Sequence, residues 1–432
     1  MKTLRLGLIV VAAAIMALGF GSTSYAFHDG GVAYCDGCHT MHNSSGGAVM
    51  NARSGQGSQT IGTANGYLLQ GSDQSSTCLK CHSGSTAGSY KIATYPVPGA
   101  GSPPLQLTPG GDFSWVQKDY TWTSPRSGSS PKDRHGHNIN AADFGFTTDA
   151  TLATAPGGSY AANQLHCSSC HDPHGKYRIM DAAGTTIATT GKPIHASGSY
   201  GEAPNANEAV GVFRLLGGVG YAPASYNSVP FTNGSPIAVA PSSYNRAEDT
   251  TDTRVAYGQG MSEWCANCHS AFHNDSYPGN LRHPAGNSAK LTAAVISNYN
   301  TYKKSGDMGG ATATAYTSMV PFEAGTTDLA TLAALTSSTA GADTSSNVSC
   351  LSCHRAHATG FKSMTRWNNA AEFLTVAGDY ANYVAGSTNE AEYGTYSDGK
   401  SKSEYQKAMY DRPATQYASF QRSLCNKCHA KD

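Results

Sequence analysis

The stretch Cys35-Asp36-Gly37-Cys38-His39 decides how this chain must fold. Two cysteines two residues apart, followed at once by histidine, form a c-type haem attachment site. Both thiols add to the porphyrin edge, and the imidazole binds the iron from one face. The spacing returns at Cys78-Leu79-Lys80-Cys81-His82, Cys167-Ser168-Ser169-Cys170-His171, Cys265-Ala266-Asn267-Cys268-His269, Cys350-Leu351-Ser352-Cys353-His354 and Cys425-Asn426-Lys427-Cys428-His429. These six copies use all 12 cysteines of the 432-residue chain. A single copy would also suit half a zinc site or a redox dithiol. Six do not: zinc ribbons need no fixed histidine after the second cysteine, and a disulfide scaffold would not repeat one spacing. The expectation is six haem c groups on Cys35, Cys38, Cys78, Cys81, Cys167, Cys170, Cys265, Cys268, Cys350, Cys353, Cys425 and Cys428. The proximal iron ligands are then His39, His82, His171, His269, His354 and His429.

Thioether attachment requires export, and the N-terminus supplies the signal. Met1-Lys2-Thr3-Leu4-Arg5 is basic, the run from Leu6 to Phe20 is apolar, and Ser24-Tyr25-Ala26 ends small-x-small. This reads as a secretory signal peptide over residues 1–26, too short to be a comfortable membrane anchor. Nothing later approaches a membrane span. Residues 27–432 are expected to form a single hexahaem domain.

Composition agrees. Hydrophobic residues are 39%, Gly numbers 48, and Ser, Thr and Asn are abundant. Such a chain would struggle to offset its conformational entropy with side chains alone. Porphyrins, covalently stapled, supply the missing apolar surface, so the expected core is a chain of haems rather than of protein. Charged residues are only 13%, balanced at 29 to 29. That excludes a nucleic-acid binder and a strong steering field. It suits a surface covered by further copies of the chain. Helix signals are few: Lys290–Lys304, Thr365–Val376 and Ser401–Tyr410 show near-3.6 periodicity. A strand is expected within Phe113–Trp122, and the long Pro-, Gly- and Ser-rich runs read as wrapping around cofactors.

Of 16 histidines, ten remain after the proximal six. His42, His174 and His357 each follow a proximal histidine by three residues, and His273 follows by four. On a helical turn those spacings share a face. The second imidazole therefore cannot reach the far side of its own haem and must ligate another. His137 and His283 complete the expected distal set, with His28 and His166 in reserve and His135 and His195 read as surface. Methionine can ligate haem iron, but with histidine so plentiful the methionines are expected to pack.

Several stretches resemble the OmcS-type hexahaem outer-surface cytochromes of metal-reducing bacteria. They are Phe27-His28-Asp29-Gly30-Gly31-Val32-Ala33 running into the first motif, Leu165–Tyr177, Arg254–His269 and Leu424–Asp432. The similarity spans essentially the whole mature chain. It implies a mostly coil fold with a few short helices and minimal strand, wrapped around closely stacked, bis-histidine haems. It implies end-to-end filaments in which His42 ligates the haem that a neighbouring subunit carries on Cys350 and Cys353. It also implies electron delivery to extracellular acceptors such as Fe(III) oxides or partner cells, fed by upstream periplasmic or outer-membrane cytochromes. With every axial position filled, no substrate site is expected. The alternatives are a monomeric periplasmic electron shuttle and a multihaem reductase with one open iron.

Overall fold

A computed structural model of the chain describes residues 37–40, 44–45, 48–49, 68–88, 90–123, 126–173, 179–180, 192–193, 208–211, 213–223, 229–241, 248–272, 283–383, 390–419 and 423–429. Regular structure among them is sparse. The helices are α1 (Gln74–His82), α2 (Met261–Cys265), α3 (Ala293–Thr301), α4 (Leu329–Leu335), α5 (Glu390–Ser397) and α6 (Lys402–Ala408). Strands run two to four residues and pair in small sheets; loops and single 3-10 turns make up the rest. The expected coil-rich architecture is what the chain adopts.

Local caps explain α1, α3, α4 and α6. Asp73 caps α1, its carboxylate accepting from the Ser76 N–H at 2.7 Å and the Ser76 hydroxyl at 2.8 Å. Helix α3 falls inside Lys290–Lys304: Thr292 caps its start, and the chain turns extended at Tyr302. Helix α6 occupies the expected Ser401–Tyr410 stretch behind a capping box between Ser401 and Glu404. Helices α1, α2, α4 and α5 fall outside the three expected stretches, although Asp328 before Leu329, Leu332 and Leu335 is a legible cap and stripe.

One expectation fails and another is met only in part. Thr365–Val376 is not a helix but a series of bends ending in a short strand at Thr375–Val376. Asn368 Oδ1 accepts from the N–H groups of Ala370 and Ala371 at 3.1 and 3.2 Å, a local turn that competes with helix formation. Arg366 beside it is drawn into a buried ion pair. In Phe113–Trp122 only Tyr120–Trp122 is strand, paired antiparallel with Gly128–Ser130. Its first half is a 3-10 turn, because Asp112 accepts from the Ser114 N–H at 2.8 Å.

The protein also has more side-chain core than its composition suggested. One buried cluster runs from Leu79 through Phe113, Trp115, Phe144, Tyr299, Met319, Phe361, Trp367, Tyr405 and Tyr410 to Leu424. Aromatic rings supply area that the aliphatic count does not. Some of their polar tips find backbone partners, as in Tyr299 to the Val320 carbonyl at 2.8 Å and Tyr410 to the Thr108 carbonyl at 2.7 Å. A second cluster joins the strands Ile237–Val239 and Ala256–Gln259 to α4 through Leu332. Met319 and Met409 are fully buried, as the packing role required, whereas Met308 is exposed. No described helix is long and apolar enough to cross a membrane.

Candidate haem sites

The attachment motifs described in full are helical: Cys78–His82 ends α1, and the other four each close a single turn. The histidine N–H bonds back to the carbonyl of the first cysteine, at 3.0 Å in His171, His269 and His354 and 2.9 Å in His429. That turn places both thiols on one side and the imidazole just beyond them. The thiols of Cys78 and Cys167 are in hydrogen-bond contact, as are those of Cys265 and Cys350. The second and third motifs are thus docked edge to edge, and so are the fourth and fifth. Serines pin both joints. The Cys167 N–H donates to Ser75 Oγ at 3.1 Å, and the Cys350 N–H donates to Ser262 Oγ at 3.0 Å. Each serine lies three residues before a first cysteine, a Ser-x-x-Cys signal that the spacing argument passed over.

The imidazoles are oriented for metal. Nδ1 faces a backbone carbonyl in His82 (Tyr90, 2.8 Å), His171 (Arg214, 2.6 Å), His269 (Pro156, 2.8 Å) and His354 (Ser363, 2.7 Å). The same holds for His137 (Ala356, 2.7 Å) and His283 (Pro284, 3.0 Å). Donation from Nδ1 leaves the Nε2 lone pair for a metal. His357 differs: its Nδ1 has no partner among the described residues. Packing holds it instead, with the Phe113 ring stacked at 4.7 Å and Gly110 so close that a Cβ there would lie 2.6 Å from Nδ1. Burial first, and neighbouring imidazoles second, push His137 down to about 4 and His357 down to about 3, so both are neutral. Burial likewise lowers His82, His171, His269 and His354.

Three imidazole pairs converge from separate segments. Ring centres lie 6.3 Å apart in His171–His357, 6.0 Å in His137–His269 and 6.0 Å in His283–His429. A metal about 2.0–2.1 Å from each nitrogen, with about 1.1 Å from nitrogen to ring centre, requires roughly 6.3 Å. The spacing fits one iron between each pair. His357 follows the proximal histidine of the fifth motif yet faces that of the third, as the three-residue argument requires. The pair His283–His429 flanks a cleft lined by Cys425, Cys428, Leu291, Val320, Phe322, Val348, Trp367 and Leu424. Two thiols, two imidazoles and apolar walls are the donor set and surface that haem c needs.

Cys35, His28, His42, His174 and His273 lie outside the described residues, as does His195. His166 is half-buried, with Nδ1 3.1 Å from the Asn140 carbonyl and 4.0 Å from Asp73. His135 corrects the surface reading: it is fully buried, with Nδ1 3.0 Å from the Trp115 carbonyl and Nε2 2.8 Å from Ser130 Oγ. Both nitrogens are used, and burial followed by the Lys400 charge holds it down to about 3. The zinc alternative finds no support. None of the 11 described cysteines is in a disulfide, and no described group of three or more His, Cys, Asp or Glu surrounds a single metal position.

Attachment turns, facing imidazole pairs and an apolar cleft in a coil-rich chain define a multihaem c-type cytochrome. No family model matches the chain. It is 54% identical over 447 residues to the C-type cytochrome OmcS of Geobacter sulfurreducens, covering 100% of both chains. Its structure is similar to that of the OmcS nanowires of the same organism, solved by cryo-EM, with a TM-score of 0.83 over 94% of this chain and 100% of that one. A second structure, an Outer Membrane Cytochrome S filament, gives 0.82 at 55% identity over the same shares. The chain belongs to the OmcS family of c-type cytochromes.

Proposed function

We propose that this chain, after loss of residues 1–26, is one hexahaem unit that polymerises end to end and carries electrons outside the cell. When bound, haem c supplies one-electron exchange between Fe(III) and Fe(II). The chain's own residues do the rest. Cysteine pairs would hold each porphyrin edge, proximal and distal imidazoles would bind its iron, and aromatic walls would exclude water. Filling both axial positions leaves no substrate site, so electrons pass from site to site without turnover chemistry. The distal set in this reading is His42, His137, His174, His273, His283 and His357.

The observation that carries the reading is the convergence of His171 with His357, 6.3 Å apart and 186 positions removed in sequence. Segments that carry one haem close over another, which forces the haems into a contiguous file. The relatives whose solved forms are filaments support extension of that file between subunits, with His42 reaching the neighbour's haem on Cys350 and Cys353. Upstream cytochromes would load the file, and extracellular acceptors such as Fe(III) oxides or partner cells would drain it. The test is electron microscopy of the secreted protein together with intact mass. The reading requires filaments and the added mass of six haems; isolated particles, or fewer haems, would contradict it.

A further inference from the structure

A buried charge cluster lies against the fifth motif and is used by none of the haem-binding chemistry above. Arg355 stands between the proximal His354 and the distal His357. Its Nη1 is 2.7 Å from Glu248 Oε2, and Arg366 Nη1 reaches the same oxygen at 3.0 Å. Arg412 donates to the Glu248 and Thr250 carbonyls at 3.0 and 2.8 Å and to Ser318 Oγ. All four side chains are buried: Arg355 and Arg366 are 0% exposed, Glu248 2% and Arg412 5%. Arg355 and Arg366 share the one carboxylate while Arg412 reaches the Glu248 main-chain carbonyl, so among these four buried side chains three positive charges meet one negative. Arg366 Nε donates to the Leu351 and His354 carbonyls at 2.7 and 3.1 Å, so its charge sits on the attachment loop itself.

Uncompensated buried charge is costly, and a second carboxylate or an apolar trio would fold more cheaply. Beside a haem the excess has a consequence. Oxidised haem iron carries one more positive charge than reduced iron, so a fixed cation nearby favours reduction. In a low-dielectric interior that effect is little screened. Resting on the haem attachment proposed above, we infer that the Arg355–Arg366–Arg412–Glu248 cluster makes the haem on Cys350 and Cys353 the highest-potential centre of the six. That haem would be where an electron rests longest, at the end of the chain that resemblance sets against the next subunit.

The test is a spectroelectrochemical titration of the haem-loaded, full-length cytochrome and three variants. Glu248→Gln removes the single negative charge. It is isosteric, and since Glu248 Oε1 has no partner among the described residues, the amide nitrogen displaces no hydrogen bond. Its highest-potential component should move positive. Arg366→Gln should move that component negative, and the double variant should return it close to the native value. Should Arg366→Gln fail to fold, the positive shift of Glu248→Gln and its return in the double variant decide the matter alone. Shifts of the same sign in all variants, a shift shared equally by all six haems, or an unmoved highest component would overturn the inference. Intact mass separates its failure from that of the attachment itself, since a missing haem on Cys350 and Cys353 shows in the native protein.

Discussion

Single atoms decide whether an imidazole can serve iron here. His357 lacks the carbonyl that fixes Nδ1 in its counterparts and depends on Phe113 and Gly110 for its pose. Gly110→Ala would place a Cβ 2.6 Å from Nδ1, well inside contact distance. The variant should therefore lose bis-histidine ligation at one haem of six. Low-temperature EPR checks this: a new high-spin ferric signal of about one sixth of total iron. Glu323 gives a pH dependence. Burial raises its carboxyl to about 7 from 4.5, with the Met261 N–H and Asn347 opposing. A raised carboxyl stabilises the fold fully below its unfolded value, and that contribution is lost as pH climbs through about 7. By linkage the loss amounts to about 3 kcal/mol at most. Denaturant midpoints should fall between pH 5 and pH 8, and Glu323→Gln should flatten the fall.

Elements are set by side chains that compete with the backbone. Ser75 and Ser262 each accept the N–H of a cysteine in the following motif and so dock α1 and α2 against their neighbours. Ser75→Ala or Ser262→Ala leaves that N–H unsatisfied, at a cost of about 1–3 kcal/mol. Chemical denaturation should show this, and the haem pair across the altered joint should show weakened exciton coupling in circular dichroism. This scale also marks what the sequence made legible. The attachment turns, α3 and α6 were readable because their signals are local: fixed cysteine spacing, Thr292, and Ser401 with Glu404. Thr365–Val376 misled because its apolar period is real, yet Asn368 and the distant Glu248 claim the segment. Long-range partners leave no local trace, which also hid His135 in the interior.

At the scale of the molecule, the sequence required that His357 serve a foreign haem but could not say which; the fold supplies His171. The near-neutral chain, with 13% charged residues, resists association with itself only weakly. Loss of His42 should then act at the joint between copies rather than on the subunit. His42→Ala should abolish filaments while single particles keep six covalent haems, and one haem per subunit should become high-spin. Negative-stain microscopy, intact mass and EPR on one preparation check all three.

The central claim is that imidazoles carried beside one porphyrin grip the next. A cryo-EM map of the assembled cytochrome that resolves each iron and its axial nitrogens tests it most directly. The account predicts continuous density from His171 through iron to His357, from His269 to His137 and from His429 to His283. An iron next to His171 whose sixth ligand is absent, or comes from any residue other than His357, would contradict it.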